Sequence, residues 1–452
     1  MVGWRNVYRM TIPARSSLGP PSASRESDGR RSRAVCSIAL ALILCACSRP
    51  RDELTFWAVG RESEAVAELL PEFERTHPGV HVALHQLPWT GAHAKLLTAV
   101  VGDATPDVAQ LGNTWIPELV ALRALEPLGA RVRQSSAVQP SDYFDGIWDT
   151  NVIDGVLYGV PWYVDTRLLF YRTDLLKKAG FDAPPENWKQ WRRTLAAIKE
   201  EVGPRRFSIL LPLNEFEPLT ALALQQSDPL LREDGTRGNF DTPGFRKALG
   251  FYVDMFDHGW APAVSNTQIS NVWDEFGRGR FAYYISGPWN IAEFQRRLPP
   301  EVSRNWMTAP LPGPDGPGAS IAGGSSLVIF AASPRKAQAW QLIEYLSRPD
   351  VMERFRALTG DMPPRRSVWD LPALAADPYA RAFRQQLERA KPAPKVPEWE
   401  HIEDELRVVG EMAATGQITV EQAARELNRR ADAILEKRRW MIARRHARGG
   451  SG

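Results

Sequence analysis

The chain has 452 residues, 44% apolar and 24% charged, a globular composition with material for a sizeable core and too long for one ordinary domain. Its formal net charge of +3 arises at the two ends, since residues 47–436 carry 43 Lys+Arg against 51 Asp+Glu. Such a slightly acidic body argues against nucleic acid as a partner, and no run reaches the roughly 18 apolar residues of a spanning helix.

The N-terminus reads as an export signal. Arg30, Arg31 and Arg33 precede a 12-residue apolar run from Ala34 to Cys45, the length of a signal-peptide core. Leu44-Cys45-Ala46-Cys47 resembles a bacterial lipobox, which makes residues 1–46 a lipoprotein signal peptide and Cys47 the lipidated residue. An ordinary cleaved signal is the alternative. All three cysteines (Cys36, Cys45, Cys47) fall here, so no disulfide framework, CxxC site or cysteine nucleophile is available to the body. Residues 47–53 form a polar tether.

Leu54–Val59 then reads as a strand, Ser63–Glu74 as a helix, Val80–Leu87 as a strand and Ala92–Val101 as a helix. Pro106–Leu111 and Ile116–Leu122 add a third strand and helix. This βαβαβα order is that of a doubly wound parallel sheet, which binds ligands beyond the carboxyl ends of its strands. Further on, Gly155–Pro161 is hairpin-like and Leu168–Tyr171, Phe207–Leu211, Arg280–Ile285 and Leu327–Phe330 are strands. Helices are expected at Asp174–Ala179, Trp188–Glu201, Pro243–His258, Ala337–Leu346, Glu400–Thr415 and Val420–Arg438.

Seven landmarks occur in order: Leu54-Thr55-Phe56-Trp57; Glu72-Phe73-Glu74 with His77-Pro78-Gly79-Val80; Thr105-Pro106-Asp107-Val108; Tyr158-Gly159-Val160-Pro161 with Leu169-Phe170-Tyr171-Arg172; Gly277-Arg278-Gly279-Arg280-Phe281-Ala282; Ser286-Gly287-Pro288-Trp289; and Gly323-Gly324. On these the sequence resembles the family 1 extracellular solute-binding proteins of bacterial ABC importers, the group with maltose- and trehalose-binding members. The resemblance implies an α/β fold of the two-lobed periplasmic-binding-protein type (type II-like). Residues 52–162 plus 318–368 would form the N-lobe and 163–317 plus 369–440 the C-lobe, closing on solute by a hinge motion. It also implies a sugar ligand, ABC permease subunits as partners, a monomer, and neither catalysis nor cofactor nor metal.

A sugar offers C–H faces to aromatic rings and a rim of hydroxyls to polar groups, so its site interleaves the two. The 16 tryptophans supply the rings. Residues at strand ends and in the interlobe crossing give the candidate set: Glu62, Trp89, Asn113, Trp115, Tyr163, Asp165, Arg167, Asn214, Glu215, Trp273, Trp289, Gly323, Gly324 and Arg365. Gly323 and Gly324 would present backbone N–H groups without side-chain obstruction. A glycerol-phosphate-type polyol ester is the second reading, although it needs clustered cations or N–H donors on its phosphate. A surface carbohydrate hydrolase is the third, but with 51 acidic residues over 47–436 chance carboxylate pairs are inevitable. His81 and His85 share a strand face, where a solvated edge is the simpler reading than a metal site. The tail, with residues 441–452 beyond the family's usual last helix, is basic and reads as a solvated extension; contact with anionic lipid headgroups is the alternative.

Overall fold

The computed structural model describes residues 53–449. The expected signal peptide, Cys47 and nearly all of the tether lie outside the described residues. The described residues form one compact unit. Its two main sheets use strands β1 (Glu53–Val59), β2 (His81–Leu87), β3 (Val108–Gly112), β4 (Gly159–Asp165), β5 (Leu168–Arg172), β6 (Phe207–Leu210), β7 (Phe281–Ser286), β8 (Trp306–Ala309) and β9 (Gly323–Ile329). The first sheet has the order β2-β1-β3-β9-β4 and the second β8-β5-β7-β6. Strand β1 is parallel to β2 and β3, while β9 runs antiparallel to β3 and β4. Each sheet is the core of one lobe of a two-lobed α/β protein.

Both sheets are apolar on two faces because helices cover both. Along β9, Leu327 and Ile329 join Phe56, Trp162 and Trp340 on one side. Val328 and the following Phe330 join Leu96, Leu111 and Trp115 on the other. In the second sheet Leu169, Tyr283 and Ile285 pack with Trp191 and Phe251, and Phe170 and Tyr284 with Phe294 and Trp306. The helices that matter below are α1 (Gly60–Ala67), α2 (Trp89–Val101), α3 (Trp188–Val202), α4 (Glu217–Leu224), α5 (Pro243–Asp257), α6 (Val272–Gly277), α7 (Asn290–Arg297), α8 (Lys336–Leu346), α9 (Pro349–Thr359), α10 (Trp399–Ala414), α11 (Val420–Ile434) and α12 (Glu436–Gly449). Local chemistry sets several of their ends. Asn187 caps α3 by accepting from Gln190 N–H at 2.9 Å, and Thr242 caps α5 ahead of Pro243.

Three segments differ from the sequence reading. The helix expected over Ser63–Glu74 is two helices, α1 and a short one at Leu70–Thr76. Pro71 lacks an N–H, and its ring opposes the carbonyl four residues back, at Ala67. The hairpin is confined to Val152–Ile153 against Val156–Leu157. Its turn, Asp154-Gly155, has positive φ at both residues (48° and 77°), as a tight hairpin requires. Strand β4 then continues through Pro161 to Asp165, because β4 is the edge of its sheet and Pro161 sits beside a register shift. Finally, the tail expected as a solvated extension is the helix α12. Leu435 is fully buried at its root, and Arg439 donates to the carbonyls of Thr236 (2.9 Å) and Asp432 (2.8 Å), which fixes its first turn to the body.

Candidate ligand-binding cavity

A cavity of about 710 Å³ opens where the ends of the first sheet's strands face the second lobe. One wall begins at Gly60, directly after β1. Its φ of +64° is left-handed, and a Cβ there would fall on the Trp89 indole and 2.6 Å from Glu62 Oε2. Glycine is therefore what lets Trp89 and Glu62 lie side by side on this wall. Trp89, at the start of α2, is 40% exposed and meets Trp115 edge-on at 5.6 Å between centroids. Trp115 is in turn stacked on His93 (5.0 Å), whose Nε2 is 2.9 Å from Glu118. The indole pair is braced by His93 and lines the cavity.

Beneath this wall lies a buried polar network. Gln110 accepts from Val59 N–H at 2.8 Å and donates to Tyr163 Oη (3.1 Å) and Ser325 Oγ (3.3 Å). Asn113 accepts from Ser326 Oγ at 3.0 Å. The adjacent glycines serve strand pairing. A Cβ on Gly323 would collide with the Asp165 carbonyl, and one on Gly324 (φ +120°) with the Tyr163 carbonyl. Close approach of β9 to β4 thus accounts for both glycines, which also line the cavity.

The opposite wall belongs to the second lobe. Arg172, at the end of β5, donates to the carbonyls of Phe276 (2.7 Å) and Gly277 (2.9 Å), closing the C-terminus of α6. Asn271 caps its start, accepting from Trp273 and Asp274 N–H groups at 3.1 Å. Between these clamps Trp273 is aimed at the cavity, its Nε1 donating to Asn290 Oδ1 at 2.8 Å and its ring under Arg297 at 4.3 Å. Trp289 lies below the guanidinium of Arg167 at 4.9 Å.

Arg167 crosses from one wall to the other. It is 7% exposed and forms short ion pairs with Asp165 and Glu217, while its Nε has no hydrogen-bond partner among the described residues. Burial works against its charge, but Asp165 and Glu217 outweigh burial and hold it cationic more firmly than usual. Seven carboxyl-bearing residues line the cavity (Glu62, Asp165, Glu217, Glu293, Asp361, Glu400, Glu403) against two arginines, Arg61 and Arg167. Burial pushes the Glu62 and Asp165 carboxyls above their ordinary range. Asp361 is pushed well above it by burial and then by the charges of Glu62 and Asp165, and Glu403 by burial and then Glu400. One oxygen each of Glu62 and Glu403 is buried with no hydrogen-bond partner among the described residues. Such groups await a donor or share a proton with one.

Of the fourteen residues expected from sequence, eleven line this one cavity: Glu62, Trp89, Asn113, Trp115, Tyr163, Asp165, Arg167, Trp273, Trp289, Gly323 and Gly324. Three do not. Asn214 and Glu215 hold Asn266, accepting from its N–H and its side-chain amide at 2.7 Å each. The chain offsets the site by two residues there, so Phe216 and Glu217 form the wall. Arg365 is 7% exposed and donates to Asp142 Oδ2 (2.6 Å) and the carbonyls of Ala137 (2.8 Å) and Ser347, bracing loops behind the cavity. Asp361, Glu400 and Glu403 were missed. Helix α9 stops at Gly360 with φ +84°, and that reversal turns Asp361 inward. Glu403 did carry a signal. It shares the helical face of Trp399, Ile402 and Leu406, and a carboxyl on a core stripe demands a reason.

Residues 58–353 match the family of bacterial extracellular solute-binding proteins. Among solved structures, the chain is similar to the sugar-binding protein MalE of Xanthomonas citri, with 56% identity and a TM-score of 0.85 over 86% of this chain and 99% of that one. It is also similar to an ABC transporter solute-binding protein of Thermotoga lettingae bound with α-D-tagatose, with 26% identity and a TM-score of 0.71 over 85% of this chain and all of that one. A relative from Streptomyces coelicolor, the diacetylchitobiose binding protein DasA, is 24% identical over 78% of this chain and 82% of its own length.

Proposed function

This chain belongs to the bacterial extracellular solute-binding protein family, and from that premise we propose that it captures a saccharide in the cavity between its lobes and delivers it to an ABC permease. The observation that carries this reading is the pairing of four indoles (Trp89, Trp115, Trp273, Trp289) with carboxylates and Arg167 around one cavity of about 710 Å³. Rings take the apolar faces of a sugar, and the carboxyls accept from its hydroxyls. The orphan oxygens of Glu62 and Glu403 and the free Arg167 Nε are complementary to such a rim. A phosphate ester fits less well. Arg167 is already engaged by two carboxylates, and five more carboxyls would face the phosphate.

Residues 52–162 plus 318–368 and 163–317 plus 369–440 are the proposed lobes, closing on the ligand without chemical conversion. Cys47 is the proposed lipid anchor, and the protein works as an exported monomer. The test is a thermal-shift screen of mono-, di- and trisaccharides and glycerol phosphate, with recovered ligand checked for hydrolysis. A saccharide at about a hundredfold its Kd stabilises by about 2.7 kcal/mol. Stabilisation by the phosphate ester alone, or release of new reducing ends, overturns this reading.

A further inference from the structure

Beside the acidic body of residues 47–436, the last helix is a cationic exception. From Lys437 to Gly452 the sequence has six Lys+Arg and no Asp or Glu. Helix α12 carries this segment as far as Gly449, following α11 and projecting from the fully buried Leu435. Two of its cations serve as anchors. Arg439 binds the carbonyls of Thr236 and Asp432, and Arg438 approaches Glu398 at 3.9 Å. Beyond them one face is exposed: Lys437, Trp440, Met441 and Arg444, at positions i, i+3, i+4 and i+7 of the helix. Trp440 is 57% and Met441 38% exposed, and they are the only two neighbouring large apolar side chains so exposed among the described residues. The Arg444 guanidinium lies 4.4 Å from the Trp440 ring centroid.

We propose that this face of α12 binds the surface of anionic phospholipid. An indole beside a thioether, flanked by a lysine and an arginine, is the composition that settles at a headgroup boundary: the ring and thioether enter the acyl edge and the cations meet phosphate. The charge argument makes the surface specific. The rest of the body is acidic and is repelled by an anionic bilayer, so the basic face both attracts the protein and sets which way it faces. Among the described residues neither cation of the stripe is spent on a salt bridge of the body, whereas Arg438 and Arg439 are, which separates the holding side of the helix from the presenting side. Binding through this face is independent of the sugar cavity.

The experiment uses the chain from Ser48 on, so that lipid is absent and the compact unit of residues 52–452 is intact. Vesicles of phosphatidylcholine alone are compared with vesicles containing equal phosphatidylglycerol, at low and high salt, by flotation. The expected result is binding to the anionic vesicles only, weakened by salt. Lys437→Glu with Arg444→Glu should lower it by more than about tenfold, since each basic residue near the surface contributes about fivefold. Trp440→Ser with Met441→Ser should also lower it, with melting and sugar binding unchanged in both variants. Absence of binding at low salt overturns the proposal, as does binding equal in wild type and both variants. If the charge variant instead loses only detergent-solubilised permease and not vesicles, the face is a protein-docking surface and the proposal fails.

Discussion

Replacing Glu403 by Gln gives the sharpest energetic test of the cavity. Glu403 is 2% exposed on the inner face of α10, and its Oε1 has no partner among the described residues. Burial and the neighbouring Glu400 push its carboxyl well above the ordinary value of 4.5. In the unfolded chain the group loses its proton as pH passes 4.5, whereas the folded protein holds it to higher pH. The folded state then binds the extra proton, so stability is full below 4.5 and falls as pH rises toward the folded-state value. The fall is about 1.4 kcal/mol for each pH unit in which the two states differ. Glutamine keeps the shape and cannot ionise. Glu403→Gln should therefore match wild type near about pH 4 and gain on it by about 1.4 kcal/mol for each pH unit between the ordinary and the folded-state value. Urea denaturation of both proteins, without sugar, across that range measures the gap. A gap that stays constant as pH rises above 4.5 refutes the account of Glu403 as a carboxyl raised by burial.

Further outcomes follow from the same geometry. Trp89→Ala should weaken saccharide binding by about tenfold or more with little change in melting, because the ring is already 40% exposed; calorimetry and a melting curve decide it. Gly60→Ala forces a left-handed residue and displaces Trp89, so stability should drop by about 1–2 kcal/mol together with affinity. Arg365→Met should cost about 3 kcal/mol by stranding Asp142 yet leave affinity for the sugar intact; lost affinity in a folded variant would put Arg365 back in the cavity.

How much was visible in the sequence depended on distance along the chain. Periodicity found the parallel strands of the first sheet, because their apolar runs are bounded by Gly60, Gly79 and Gly102. It merged α1 with the next helix, since Val66, Leu69, Leu70 and Phe73 keep helical spacing across the break that Pro71 imposes. Cavity-lining residues that directly follow a strand or lie in the crossing, such as Glu62, Trp115 and Asp165, were legible from position alone. Those brought in by tertiary reversal were not. Asp361 depends on the left-handed turn at Gly360, and Glu400 and Glu403 arrive from the closing helix α10, far away in sequence. Arg365 misled because a cation after Pro363-Pro364 resembles a cleft-edge residue, while its guanidinium is spent on Asp142 and two carbonyls.

The central claim is that one saccharide rests on the cavity's indoles. Titration calorimetry of wild type and of the double variant Trp89→Ala with Trp289→Ala tests it most directly, using the saccharide that gives the largest thermal shift. The account predicts one saccharide bound per wild-type chain, recovered unchanged, and no measurable heat with a double variant that still melts cooperatively. Equal affinity in the two proteins would contradict it.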